Sequence, residues 1–223
     1  MIDSVTLADR GYVVAPRLIE PDMCRSLAQT WPDQARFRSH IVMQRHGFGQ
    51  GEYQYFTYPL PEPVERLRQA LYPELAQVAN QWSEQLGSPQ RFPAALPAWL
   101  KRCHQGGQKR PTPLLLRYGA GDYNCLHRDL YGDLVFPLQA TVLLSDPGRD
   151  FEGGEFMLVE QRPRMQSRGE VVHLGQGDAV IFAVNERPVK GTRGIYRTAM
   201  RHGVSTVRRG QRFTLGIIFH DAA

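Results

Sequence analysis

The sequence predicts a mainly β protein, a sandwich or barrel flanked by α-helices, and two observations predict it. Beyond Pro111 the chain breaks into short apolar runs at 113–118 (PLLLRY), 136–144 (FPLQATVLL), 155–159 (EFMLV), 170–174 (EVVHL), 178–184 (DAVIFAV) and 212–219 (RFTLGIIF). The separators, SDPGRDFEGG and GQGD among them, supply the glycine, proline and aspartate that turns require. Short strands so spaced favour a β-sandwich or barrel over a parallel α/β sheet.

Before Pro111 the texture is helical. From Glu20 to about Trp31, Met23, Leu27 and Trp31 recur at helical spacing, with Pro21 near the first turn, where helices accept it. A longer helix is predicted from Pro63 to Leu86, where Val64, Leu67, Leu71, Leu75, Val78 and Trp82 form one apolar stripe and Gly87 is the stop. Between the two, QRHGFGQGEYQYF (44–56) reads as a glycine-hinged segment entering a short strand, either a substrate-facing loop or a plain hairpin. Residues 1–110 thus read as helical support and residues 111–223 as a β core, within one domain.

Composition narrows the classes. With 223 residues and 42% hydrophobic content, the chain can bury one sizeable core. Cys24, Cys103 and Cys125 are odd in number and lack CxxC spacing, which disfavours a disulfide framework. The start, MIDSVTLADRGYVV, has no basic-then-apolar signal pattern, and no run of about 18 apolar residues occurs. A cytoplasmic protein with no membrane association is expected. Net charge is +5, carried by 24 arginines and only three lysines, Lys101, Lys109 and Lys190. Arginine dominance reflects either genomic base composition or a surface suited to carboxylates and phosphates. The excess concentrates between Gln161 and Arg212, which carries +8 against −3 for the rest, a segment that would attract an acidic partner.

The stretch YGAGDYNCLHRDLYGD (118–133) carries the chemistry. His127 and Asp129, at i and i+2, point to the same side of an extended segment and could reach one metal. Such a pair recurs by chance and needs a third ligand. Two histidines and one carboxylate form the facial set of non-haem iron, leaving positions open for a co-substrate and O₂. Downstream stand His173, His202 and His220. His202, in MRHGVSTV, opens a predicted strand, and Arg212 follows it ten residues later. EGGE (152–155) is more simply a turn than a second carboxylate site. GQGDAV lacks the GK[ST] ending of a phosphate loop and leads into a strand.

In this order the motifs YGAGDYNCLHRD, GGEFMLV, GDAVIF and RHGVSTVRRGQRFTLGIIFHDA resemble those of the 2-oxoglutarate-dependent Fe(II) dioxygenases, in particular the prolyl-hydroxylase-like branch, over residues 111–223. The resemblance implies a double-stranded β-helix core (jelly-roll, cupin-like) supported by N-terminal helices. It implies His127, Asp129 and His202 as catalytic metal ligands and Arg212 as the clamp for the distal carboxylate of 2-oxoglutarate, with Thr214 and Tyr118 beside the co-substrate. His173 fits less well, because the next arginine, Arg187, follows by fourteen residues, and His220 leaves no room for a following strand.

The function implied is a dioxygenase using Fe(II), 2-oxoglutarate and O₂, with ascorbate as an accessory candidate, that hydroxylates a substrate and releases succinate and CO₂. Manganese suits the same ligands. A peptidyl or free amino-acid side chain is the favoured substrate. Oxidative demethylation of nucleic acid is the alternative, since the basic segment suits phosphates, yet RFTLGIIFHDA places no further arginine or asparagine after the clamp. A non-catalytic cupin-like module that binds metal or a small ligand is the remaining reading, and it has no use for Arg212. Arg45, His46 and Tyr53 are the candidate substrate contacts.

Overall fold

A computed structural model describes residues 2–192 and 194–223. Among the described residues four α-helices occur, α1 (Ser4–Arg10), α2 (Pro21–Gln29), α3 (Glu62–Gln85) and α4 (Leu96–Gln105). The strands are β1 (Tyr12–Ala15), β2 (Phe37–Val42), β3 (Gly49–Gln50), β4 (Glu52–Phe56), β5 (Leu114–Tyr118), β6 (Tyr123–His127), β7 (Leu138–Leu143) and β8 (Phe151–Gly153). They continue with β9 (Phe156–Gln161), β10 (Arg168–Val172), β11 (Ala179–Ala183), β12 (Glu186–Gly191), β13 (Gly194–Val204), β14 (Val207–Gly210) and β15 (Arg212–Ile218).

Two antiparallel sheets face each other, as in a jelly roll. The larger has the order β1-β11-β7-β15-β5-β4-β2, and the smaller β10-β9-β13-β6-β3, with β12 paired to the first half of β13. Strands β7 and β11 are buried at every position, and β15 at all but Phe213. Helices cover one face of the larger sheet and the smaller sheet covers the other, so no polar alternation survives in these strands. This is why they were legible as unbroken apolar runs. The N-terminal half also contributes strands: β1 pairs with β11, and β4 pairs with β5.

The predicted helices and the six predicted strands are present within about two residues of their expected bounds. One expectation is corrected: His202 does not open a strand but sits near the end of β13, which begins at Gly194. The first half of β13 is mostly exposed and has no run of apolar residues, so its apolar signal is weak. The elements α1, α4, β1, β2, β8, β12 and β14 match none of the predicted elements.

The helical layer is tied to the chain end by a polar junction. Arg68 of α3, fully buried, donates from Nη2 to Asp221 Oδ1 at 2.9 Å and from Nε to the Ile218 carbonyl at 2.9 Å. Asp221 Oδ2 also accepts from the Tyr58 hydroxyl at 2.9 Å and lies 2.7 Å from His104 Nε2 of α4. Removing one partner of such a pair leaves a buried charge unanswered. Asp221→Ala is therefore expected to lower stability by about 3–5 kcal/mol, read as a reduced midpoint in urea unfolding.

Candidate metal centre and co-substrate pocket

The centre lies between the sheets. His127, the last residue of β6, is the direct Cα partner of His202 in β13, so both imidazoles stand on the inner face of the smaller sheet with centroids 4.2 Å apart. Asp129 follows just beyond β6. Its Oδ1 is 3.5 Å from His127 Nε2 and its Oδ2 is 3.3 Å from His202 Nε2. One ligand-type atom from each of the three residues lies within 4.8 Å of the others. Two Nε2 atoms and a carboxylate converging in this way are a donor set for Fe(II) or a similar divalent ion.

Surrounding groups orient the three. His127 Nδ1 donates to the Cys125 carbonyl at 2.8 Å, which leaves Nε2 as the free lone pair. His202 is held by ring packing instead, 4.6 Å from Phe182 and 6.0 Å from Phe156. Tyr131 donates its hydroxyl to Asp129 Oδ1 at 2.8 Å. Burial alone would raise the Asp129 carboxyl, but the two imidazoles facing it outweigh burial and hold Asp129 well below the usual carboxylate range. Burial keeps His202 below its ordinary value and so neutral, as a metal ligand must be.

Across the cavity, Arg212 begins β15 opposite Tyr118 of β5. Its guanidinium is almost wholly buried, and neither Nε nor Nη1 has a hydrogen-bond partner. Its Cζ sits 5.5 Å from the centroid of the Tyr118 ring and 5.8 Å from that of Phe151. Burial brings its pKa down to about 10, which still leaves a full charge at neutral pH. Burial pushes the Tyr118 phenol up to about 12, so it remains a neutral hydroxyl that accepts from Asn124. A buried cation with two idle donors has the chemistry to accept a carboxylate.

One cavity of about 290 Å³ joins these parts. His127, Asp129, His202, Arg212, Tyr118 and Thr214 all line it, together with Leu116, Phe156 and Val204. Of the three candidate substrate contacts, Tyr53 lines the cavity and Arg45 and His46 do not. His46 instead stacks on Phe48 at 5.3 Å, and Phe48, half exposed, forms part of the mouth. Asn124, Arg128 and Tyr131 also line the cavity and went unremarked in the sequence, though Tyr131 stands only two residues past Asp129. His173 and His220 lie outside the metal cluster. The basic segment is less free than its count suggests, since Arg162 and Arg187 pair with Glu160, Arg197 with Glu186, Arg208 with Glu155 and Arg209 with Glu152.

This architecture is shared with solved oxygenases. The chain superimposes on a prolyl-4-hydroxylase of Pseudomonas putida with a TM-score of 0.55 and 15% identity, covering 99% of this chain and 97% of that one. A 2OG-Fe(II) oxygenase-family oxidoreductase of Burkholderia pseudomallei gives a TM-score of 0.55 and 16% identity, covering 99% and 90%. At such identities the likeness is one of fold. The fold is that of the prolyl-hydroxylase-like 2OG-Fe(II) oxygenases, and it carries a His-Asp-His cluster between its sheets. The chain belongs to the Oxygenase-NA family, whose model matches residues 51–222 and is described as an oxygenase catalysing oxidative methylation of damaged DNA. Uncharacterized protein Rv2227 of Mycobacterium tuberculosis is 52% identical over 168 residues, covering 75% of this chain and 72% of that protein.

Two outcomes are expected. His127→Ala and Asp129→Ala should keep the far-ultraviolet circular dichroism of the wild type while losing the absorption bands of bound Co(II). Arg212→Met removes a buried charge that has no counter-ion, and should stabilise the metal-free protein by about 1–3 kcal/mol in urea unfolding.

Proposed function

We propose that the protein is a 2-oxoglutarate-dependent Fe(II) oxygenase that hydroxylates a carbon bound to nitrogen in a methylated nucleobase. The observation that carries the oxygenase reading is the buried, unpaired Arg212 guanidinium opening into the same cavity as His127, Asp129 and His202. Fe(II) held there supplies activation of O₂, coupling oxidation of 2-oxoglutarate to succinate and CO₂ with insertion of the second oxygen atom into a substrate C–H bond.

The residues of the chain do the positioning. Arg212 grips the far carboxylate through its two idle donors, and Thr214, on the same face of β15, adds a hydroxyl. Asp129 and the two imidazoles hold the metal on the opposite sheet. Leu116, Phe156 and Val204 line the space between and exclude water from the oxidant.

The substrate reading rests on the mouth and on the family description. The stacked His46–Phe48 pair offers an aromatic face on which a base can lie. Arg128 at the cavity wall and exposed Arg45 beside His46 are placed for phosphates. Hydroxylation of an N-methyl group gives an unstable N-hydroxymethyl product that loses formaldehyde, leaving the N–H base. An amino-acid side chain, the substrate expected from the sequence, would use the same metal and clamp, so it forms the comparison arm of the test.

Fe(II)-loaded protein should form succinate from 2-oxoglutarate, and an N-methylated oligonucleotide should raise that rate and yield formaldehyde in equal amount. Arg212→Ala should raise the half-saturating 2-oxoglutarate concentration by roughly tenfold to a hundredfold. Succinate stimulated by a proline-containing peptide and not by the oligonucleotide would overturn the nucleobase reading. Absence of succinate in every arm, with no Fe(II)-to-2-oxoglutarate charge-transfer band under anaerobic conditions, would overturn the oxygenase reading.

A further inference from the structure

The loop that follows His127 and Asp129 turns back on the metal cluster. Tyr131, two residues past Asp129, lines the same cavity and donates its hydroxyl to Asp129 Oδ1 at 2.8 Å. Asp129 Oδ2 takes no hydrogen bond from outside the cluster among the described residues, and stands 3.3 Å from His202 Nε2. The two oxygens of one carboxylate thus have unequal surroundings.

Tyr131 is itself held at ring and backbone. Tyr55 of β4 meets its ring edge to face, with centroids 6.2 Å apart, and the buried His220 ring lies 6.2 Å from it. The backbone is fixed by Gln108, a fully enclosed amide just beyond α4. Gln108 Nε2 is shared among the carbonyls of Tyr131 at 3.1 Å, Leu134 at 3.0 Å and Asp221 at 2.6 Å, and Oε1 accepts from the Leu134 N–H at 2.8 Å. Gly132 lets the chain pass directly against this amide, since a Cβ there would come 2.6 Å from Gln108 Cδ at φ +83. A buried polar group with its partners in place rigidifies what it touches. The phenol therefore reaches Asp129 from a fixed support.

We propose that Tyr131 is a positioning residue that confines Asp129 to binding the metal through a single oxygen, Oδ2, and so keeps the cavity side of the metal free for the co-substrate. The inference rests on the reading of His127, Asp129 and His202 as the metal ligands. A carboxylate can hold a divalent ion through one oxygen or through both. A hydroxyl donating to Oδ1 competes with the ion for that oxygen and fixes the rotation of the carboxylate, as groups around a metal ligand commonly do. Binding through both oxygens would occupy a position that 2-oxoglutarate or O₂ requires. Tyr131 acts here through Asp129 and not on the substrate.

The test uses Tyr131→Phe, which keeps the ring and its packing and removes only the hydroxyl. Visible absorption of the Co(II)-loaded protein reports how many atoms surround the ion, and titration with 2-oxoglutarate then gives the co-substrate affinity. In Tyr131→Phe the Co(II) bands should differ from those of the wild type, and the dissociation constant for 2-oxoglutarate should rise about tenfold. Wild-type bands together with wild-type 2-oxoglutarate affinity overturn the proposal. So do unchanged bands with a lowered urea midpoint of the metal-free protein, which would make the hydroxyl a structural group only. Absence of Co(II) bands in the wild type strikes the metal-centre reading instead.

Discussion

The direct pairing of His127 with His202 across β6 and β13 is the constraint from which the rest of the site is built. Side chains alternate along a strand, so a slip of one residue would turn one imidazole out of the centre. The pairing is held from the other edge as well, where His202 stands opposite Leu158 of β9. Gly203, the neighbour of His202, allows the strands to approach: a Cβ there would lie 2.7 Å from the Asn124 carbonyl oxygen. The register slips between His202 and Val204, at the edge of the site, as bulges near active sites often do.

The second half of the site is on the other sheet, and its separation from the first follows from sheet packing. Facing sheets stand about 10 Å apart, a gap that a small dicarboxylate can bridge from a metal on one sheet to a guanidinium on the other. Arg212 stands there at the expense of stability, because it is buried against Tyr118 and Phe151 without a counter-ion. The junction of Arg68 with Asp221 shows the contrary arrangement, a buried arginine fully answered by a carboxylate, a carbonyl and a hydroxyl. One arginine holds the fold together and the other is left without an answering group.

Strands buried on both faces, such as β7, β11 and β15, were legible because their apolar character does not depend on knowing which face is covered. Strand β13 was legible only near its end, since its first half is largely exposed and has no run of apolar residues. Arg68 gave no sign of its burial, because its partner Asp221 is 153 residues away. The mouth was legible in part: Tyr53 lines the cavity, but the aromatic face beside it comes from Phe48 with His46 stacked behind.

By itself the sequence determined the kinds of chemistry available: a His-x-Asp pair, a later histidine and an arginine ten residues on, in the order that resembles a 2-oxoglutarate oxygenase. These are local features, carried by residue type and spacing along one strand end or one strand. Tertiary structure supplied the reason why His202 joins the pair, because strand pairing sets it opposite His127 and leaves His173 outside the cluster. It alone decided that Arg212 is buried and unanswered, since burial is a property of two sheets facing each other and of neither strand alone.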